Sequence, residues 1–125
     1  MRCVIVDDNE PFLSEARELL AREGIDVVGV ATTTADAFEK IAQLQPELTL
    51  VDIDLGRESG FALVQALVDE PSTSPTTVIL ISAYAEPDFV DLIEASPAAG
   101  FVSKTELSAR AIRDVLAKHP DATPD

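Results

Sequence analysis

Chemistry is suggested first by carboxylates that follow short apolar runs. Asp7 and Asp8 follow Cys3–Val6, and Asp52 follows Leu48–Val51 and is itself followed by Ile53 and Asp54. Ser82 ends a further run, Val78–Ile81, and Lys104 comes just after the weaker run Gly100–Val102. Carboxylates offering only oxygen suit a hard divalent cation such as Mg²⁺. The −3 of Asp7, Asp8 and Asp52 would be balanced by such an ion (+2) and the Lys104 ammonium (+1). Without those cations, neighbouring carboxylates repel and raise one another's pKa. A balanced site can admit a phosphoryl group, with cation and lysine holding its oxygens and Ser82 donating a hydrogen bond. A carboxylate can also be the nucleophile. Asp52 is the best candidate, because it stands alone at its strand end while Asp7 and Asp8 are paired as ligands.

Those residues need elements to bring them together. The apolar runs Cys3–Val6, Ile25–Val30, Leu48–Val51, Val78–Ile81 and Gly100–Val102 are mostly uninterrupted, as in strands buried on both faces. Between them lie helical spacings. Phe12, Leu13, Ala16, Leu19 and Leu20 make the first, and Phe38, Ile41 and Leu44 the second. Phe61, Val64, Leu67 and Val68 make the third, and Leu107, Ala111, Ile112, Val115 and Leu116 the last. A short fourth helix is expected within Pro87–Ala95. Pro11 suits a first helical turn, with Asp8 and Asn9 as capping candidates, and Gly24 reads as a helix stop. Alternating strands and helices predict an α/β domain, a mainly parallel sheet with right-handed crossovers and helices on both faces. In such a sheet, ligands bind outside the carboxyl ends of the strands, where the acidic residues, Ser82 and Lys104 fall. The expected domain is 1–118, with 119–125 a tail or the start of a linker.

Composition narrows the function classes. The 125 residues carry 9 Lys and Arg against 23 Asp and Glu, a net charge of −14, with 46% hydrophobic residues. That apolar fraction can build a core, so the acidity does not signal disorder. A surface this acidic should not bind a nucleic-acid backbone or an anionic membrane directly. Cys3 is the only cysteine and His119 the only histidine, which leaves no internal disulfide and no thiolate zinc site. No apolar stretch approaches a membrane span, and a cytoplasmic location is expected.

The ordered set Asp7-Asp8, Asp52, Ser82-Ala83 and Lys104, spaced by 82 − 52 = 30 and 104 − 82 = 22 residues, resembles the receiver domain of bacterial two-component response regulators, over essentially the whole chain from Cys3 to about Lys118. Gly60, opening the third helix, and Gly100-Phe101 match as well. The resemblance implies a flavodoxin-like three-layer sandwich with sheet order 2-1-3-4-5. It implies that Asp52 accepts a phosphoryl group from a sensor histidine kinase, and that Asp7, Asp8, Asp52 and the backbone carbonyl of Asp54 hold Mg²⁺, with Mn²⁺ as a substitute. Lys104 would pair with the phosphoryl group, Ser82 would move toward it, and Phe101 would turn inward. That motion would reshape the face of the fourth helix, fifth strand and fifth helix, through which a homodimer is expected. Such a chain is a signalling phosphoacceptor that catalyses only its own phosphotransfer and autodephosphorylation. Its output would be transcription through a separate DNA-binding domain, or protein–protein interaction by a stand-alone receiver.

Some positions depart from the family pattern. Leu55-Gly56 stands where Met-Pro is common, which should loosen that loop. Thr105 replaces the proline that often follows the lysine, making a cis bond improbable there. Ser103-Lys-Thr-Glu106 fits a capping box for the last helix, and Gly100–Leu107 is similar to receivers of the LuxR/FixJ (NarL-type) sub-family. Asp54 and Tyr84 are expected to flank the hydrolytic water and tune phosphoryl lifetime. Taken singly, Asp7 and Asp8 could be helix caps, Asp52 a turn residue and Lys104 a surface lysine; it is their order that carries the reading. A haloacid-dehalogenase-like phosphohydrolase shares Asp-x-Asp at a strand end, but that family puts it on the first strand of a longer chain. A flavodoxin would share the architecture, yet Asp7-Asp8-Asn9-Glu10 would repel the phosphate its first loop must cradle. A non-phosphorylated adaptor has less reason to keep every carboxylate and the lysine.

Overall fold

A computed structural model describes residues 1–73, 75–83 and 89–118. Five strands, β1 (Arg2–Val6), β2 (Asp26–Ala31), β3 (Leu48–Asp52), β4 (Thr77–Ser82) and β5 (Gly100–Ser103), form one parallel sheet in the order β2-β1-β3-β4-β5. The helices between and after them are α1 (Glu10–Arg22), α2 (Thr34–Leu44), α3 (Gly60–Asp69), α4 (Val90–Ala95) and α5 (Ala109–Lys118). The expected α/β architecture and strand order are those observed.

The uninterrupted apolar runs have a direct cause, because alternate residues of each strand enter opposite cores. Cys3 and Ile5 of β1, Leu50 of β3 and Ile79 and Ile81 of β4 pack with Leu13, Ala16 and Leu20 of α1 and Ile112 of α5. Their neighbours Val4, Val6, Val51 and Leu80 pack on the other face with Ala37 and Ile41 of α2 and Leu63, Val64 and Leu67 of α3. Ile5, Leu50, Leu80 and Ile81 are fully excluded from solvent, and burying each such side chain contributes about 1.5–3 kcal/mol. These two cores hold the sheet rigid beneath its carboxyl edge.

Several local features differ from the sequence expectation. Asn9, not Asp8, caps α1, its side chain accepting from the Phe12 amide. Between β3 and α3 lies a two-residue antiparallel ladder in which Asp54 pairs with Ser59 and Leu55 with Glu58. The loop is therefore paired across Leu55-Gly56. Leu55 is buried, Gly56 adopts φ +76° at the turn, and its amide donates to Asp54 Oδ1 at 3.0 Å. No capping box forms at Ser103–Glu106: Lys104–Glu106 is a 3₁₀ turn without a side-chain cap. Instead, Ser108 Oγ accepts from the Ala111 amide, and Glu23 Oε1, at the end of α1, accepts from the Ala109 amide at 2.6 Å. The last helix is thus capped partly from the other end of the chain. Of the fourth helix, Val90–Ala95 is helical, while Pro87 and Asp88 lie outside the described residues.

Candidate functional site

Strand register builds the site. Val6 pairs with Val51, so Asp7 leaves β1 level with Asp52 at the end of β3. Asp52 pairs with Ile81, which puts Ser82 one step further along β4. Ser82 pairs with Ser103, and Lys104 follows directly. Four neighbouring strand ends therefore deliver their polar residues to one edge of the sheet. Asp52, Ser82 and Lys104 line a cavity of about 210 Å³ with Asp8, Asn9, Asp54, Gly56 and Ala83, and Asp7 lies buried behind it.

Within it, Lys104 Nζ lies 2.6 Å from Asp7 Oδ2 and 2.9 Å from Asp52 Oδ2. Asp7 and Ser82 are buried, Asp52 is 5% exposed, and Asp8 and Asp54 are exposed. Each buried carboxylate is also held by backbone: Asp7 Oδ1 accepts from the Asn9 amide at 2.9 Å and Asp52 Oδ1 from the Asp54 amide at 3.0 Å. Asp7 Oδ2 has its ion pair with Lys104 but no hydrogen bond of good alignment, although it is fully buried.

One ammonium thus serves two carboxylates, and burial is the largest influence on the protonation of Asp52. Burial pushes Asp52 up to about 6 from an ordinary 3.8; hydrogen bonds from Lys104 and the Asp54 amide oppose this, and the charge of Asp7 adds to it. For Lys104, burial acts to lower the pKa, but hydrogen bonding and charge from Asp7 and Asp52 outweigh it and the net direction is upward. Lys104 therefore stays an ammonium, while burial, with a smaller part from Asp7, holds the Asp52 pKa at about 6.

A divalent cation would supply further positive charge. Ligand oxygens of Asp7, Asp8 and Asp52 lie within 4.8 Å of one another. An all-carboxylate donor set served by a single ammonium fits Mg²⁺. Two glycines preserve the geometry. A Cβ on Gly60 would meet the Asp52 carbonyl oxygen at 2.0 Å, so only glycine lets α3 begin against β3. A Cβ on Gly56, already at positive φ, would meet Asp8 Oδ2 at 3.1 Å.

The family model described as the response regulator receiver domain matches residues 3–117. The chain belongs to the response regulator receiver domain family. The receiver is 33% identical over 87 residues, 69% of its length, to a response regulatory protein of Yersinia pestis, covering 35% of that protein. It is 33% identical over 110 residues, 86% of its length, to a protein-glutamate methylesterase/protein-glutamine glutaminase of Xanthomonas oryzae pv. oryzae, covering 30% of it. The chain thus spans about a third of the length of these relatives. Among solved structures, the signal receiver domain of a response regulator named NarL from Mycobacterium tuberculosis superposes with TM-score 0.76 at 32% identity, over 91% of this receiver and 94% of that chain. Receiver domains are signalling modules of two-component systems that typically bind Mg²⁺ and work with histidine kinases. Among the described residues no helix is long and apolar enough to cross a membrane.

The structure thus brings Asp8, Asp52, Asp54, Ser82 and Lys104 to one cavity, with Asp7 buried behind it against Lys104. Phe101 is half-buried and packs from β5 against the α2–α3 side core. Tyr84 and His119 lie outside the described residues. One neighbour of the site was not singled out from sequence: the Phe12 ring, whose centroid is 4.4 Å from Lys104 Nζ. In the sequence Phe12 reads only as the first apolar residue of a helical stripe.

Proposed function

We propose that this receiver is a phosphoacceptor in which Asp52 takes a phosphoryl group from the phosphohistidine of a sensor histidine kinase. The observation that carries the proposal is the buried Asp7–Lys104–Asp52 cluster, with Asp8 at its rim, on the carboxyl edge of the sheet. An Asp52 carboxylate oxygen attacks phosphorus; the new O–P bond forms as the P–N bond to the donor imidazole breaks, and the imidazole nitrogen keeps the electron pair. Asp7, Asp8 and Asp52, with the Asp54 carbonyl, would hold Mg²⁺, which when bound supplies positive charge to the phosphoryl oxygens. Lys104 neutralises the charge on the arriving group, and Ser82 donates a hydrogen bond to it.

The signal then leaves the site through packing. Phosphorylation adds negative charge at Asp52 beside Lys104, Ser82 moves inward, and Phe101 turns into the space released. The face of α4, β5 and α5 changes shape, a local charge event biasing a bistable element. The output is transcriptional, through a separate DNA-binding domain of the LuxR/FixJ type, and dimerisation through that face belongs to the same reading. Asp54 and Tyr84 set the lifetime of the aspartyl phosphate, so Tyr84→Ala shortens its half-life; an unchanged half-life removes that role.

The test is incubation with Mg²⁺ and acetyl phosphate. An acid-stable, base-labile adduct is expected on the wild-type chain and not on Asp52→Asn. No adduct on the wild type, or an equal one on the variant, refutes the proposal, and steady turnover of an external phosphoester would support a phosphohydrolase in its place.

A further inference from the structure

We propose that Phe12 is a positioning residue for Lys104, its ring face holding the ammonium over the Asp7–Asp52 pair; this rests on the reading of Asp52 as phosphoacceptor. Lys104 Nζ stands 4.4 Å from the Phe12 ring centroid, within the range in which the negative face of an aromatic ring attracts a cation. The lysine side chain is 13% exposed, so little water competes for it.

The backbone of Phe12 is tied to the same site. Its amide donates to Asn9 Oδ1 at 3.2 Å, and the Asn9 amide donates to Asp7 Oδ1 at 2.9 Å. Asp7 Oδ2 then meets Lys104, and Lys104 meets the Phe12 ring. These contacts close a circuit from Asp7 through the β1–α1 turn and back to Asp7. Leu13, Ala16 and Leu20 supply the buried stripe of α1, whereas Phe12 is only half-buried beside them, which leaves its ring face for the lysine.

The circuit has a physical purpose. A lysine stem has four flexible bonds and loses about 2 kcal/mol of rotamer entropy when fixed. Asp7 and Asp52 fix Lys104 only while their oxygens face it. A carboxylate oxygen committed to a cation or to phosphorus is withdrawn from Lys104, while the ring, packed against the edge of the α1 core, ligates neither. Phe12 therefore keeps the ammonium aimed at the phosphoryl oxygens through the state in which its carboxylate partners are occupied.

The test changes the ring's electrostatics at constant shape. Pentafluorophenylalanine at position 12 reverses the ring quadrupole, and Phe12→Leu removes the face. In the reaction with acetyl phosphate and Mg²⁺, an Asp52 oxygen bonds to phosphorus as the phosphorus–oxygen bond to acetate breaks, and acetate leaves with the electron pair. The rate constant is expected to fall about 5- to 30-fold in both proteins, equivalent to about 1–2 kcal/mol. Phe12→Tyr should restore a rate near that of the wild type. The upfield ring-current shift of the Lys104 ε-methylene protons should vanish in Phe12→Leu.

Equal rates with natural and pentafluorinated phenylalanine overturn the proposal, including the case where Phe12→Leu is slow and also unstable to urea, which marks an ordinary packing residue. The same rate experiment separates this failure from that of the underlying reading. An adduct on the wild type with no response to fluorination overturns Phe12 alone, whereas no adduct on the wild type refutes the phosphoacceptor reading and removes the role of Phe12 with it.

Discussion

Replacing Asp52 by asparagine should stabilise the metal-free protein while abolishing its phosphorylation. Asp52 is buried beside Asp7 and shares one lysine with it, and its pKa stands at about 6 against an ordinary 3.8. A carboxyl whose pKa is raised on folding favours the folded state fully below its unfolded pKa, and that advantage is lost as pH rises through the folded value. The window is therefore about pH 4 to 6, and the gap between 3.8 and about 6 is worth about 3 kcal/mol once both states are ionised. Asparagine removes this cost, which is already net of the opposing hydrogen bond and charge of Lys104. The expectation at pH 8 without Mg²⁺ is a gain of up to about 3 kcal/mol, read as a higher Tm. About 1 kcal/mol of the advantage should disappear between pH 7 and pH 5, where the wild type takes up its own proton. Mg²⁺ at ten times its Kd should return about 1.4 kcal/mol to the wild type and less to the variant. Urea titrations of both proteins at pH 5 and pH 8, with EDTA or Mg²⁺, measure every quantity. A variant less stable than wild type at pH 8 in EDTA, or a difference that does not change with pH, would show that burial does not disfavour the Asp52 charge and refute the reasoning.

Other perturbations follow from single contacts. Lys104→Met leaves Asp7 and Asp52 buried without their ammonium, so the metal-free protein should lose about 3 kcal/mol by denaturant midpoint; Mg²⁺ should restore much of it, and no loss in EDTA would contradict the ion-pair geometry. Gly60→Ala drives a methyl into the Asp52 carbonyl, 2.0 Å from the added Cβ, and should cost about 3 kcal/mol, the upper end of overpacking, read as a drop in Tm. Glu23→Ala uncaps α5 at Ala109, which should cost about 1 kcal/mol and speed amide exchange at Ala109 while leaving the α1 amides protected.

The legible parts of this protein share a local cause. Uninterrupted runs such as Val4-Ile5-Val6 and Leu48–Val51 identify strands covered on both faces, because each residue faces one core or the other. Helical spacing in Leu13, Ala16 and Leu20 marks the buried face of α1 for the same reason. A parallel sheet then sends all its strand ends to one edge, so the order of Asp7-Asp8, Asp52, Ser82 and Lys104 along the chain already implied a shared site. Capping was less legible. Asp8 and Asn9 are both good caps by type, and only the turn after β1 selects Asn9, leaving Asp8 at the cavity. Ser103 reads as a cap, but Glu23, 86 residues from Ala109, is a partner no local pattern can reveal.

By itself, then, the sequence determined the alternation of strands and helices, the two-faced core and the set of acidic and basic residues at the sheet's carboxyl edge, since each depends on periodicity or on residue type at an element's end. Tertiary structure alone decided how those residues share charge: that Lys104 serves Asp7 and Asp52 together, that Asp8 stays exposed, that α3 begins against the Asp52 carbonyl, and that Phe12 faces the lysine. Those facts depend on strand register and helix packing, which set distances between residues far apart in the chain, and at a few ångströms such distances govern Coulomb energy, hydrogen bonding and steric fit.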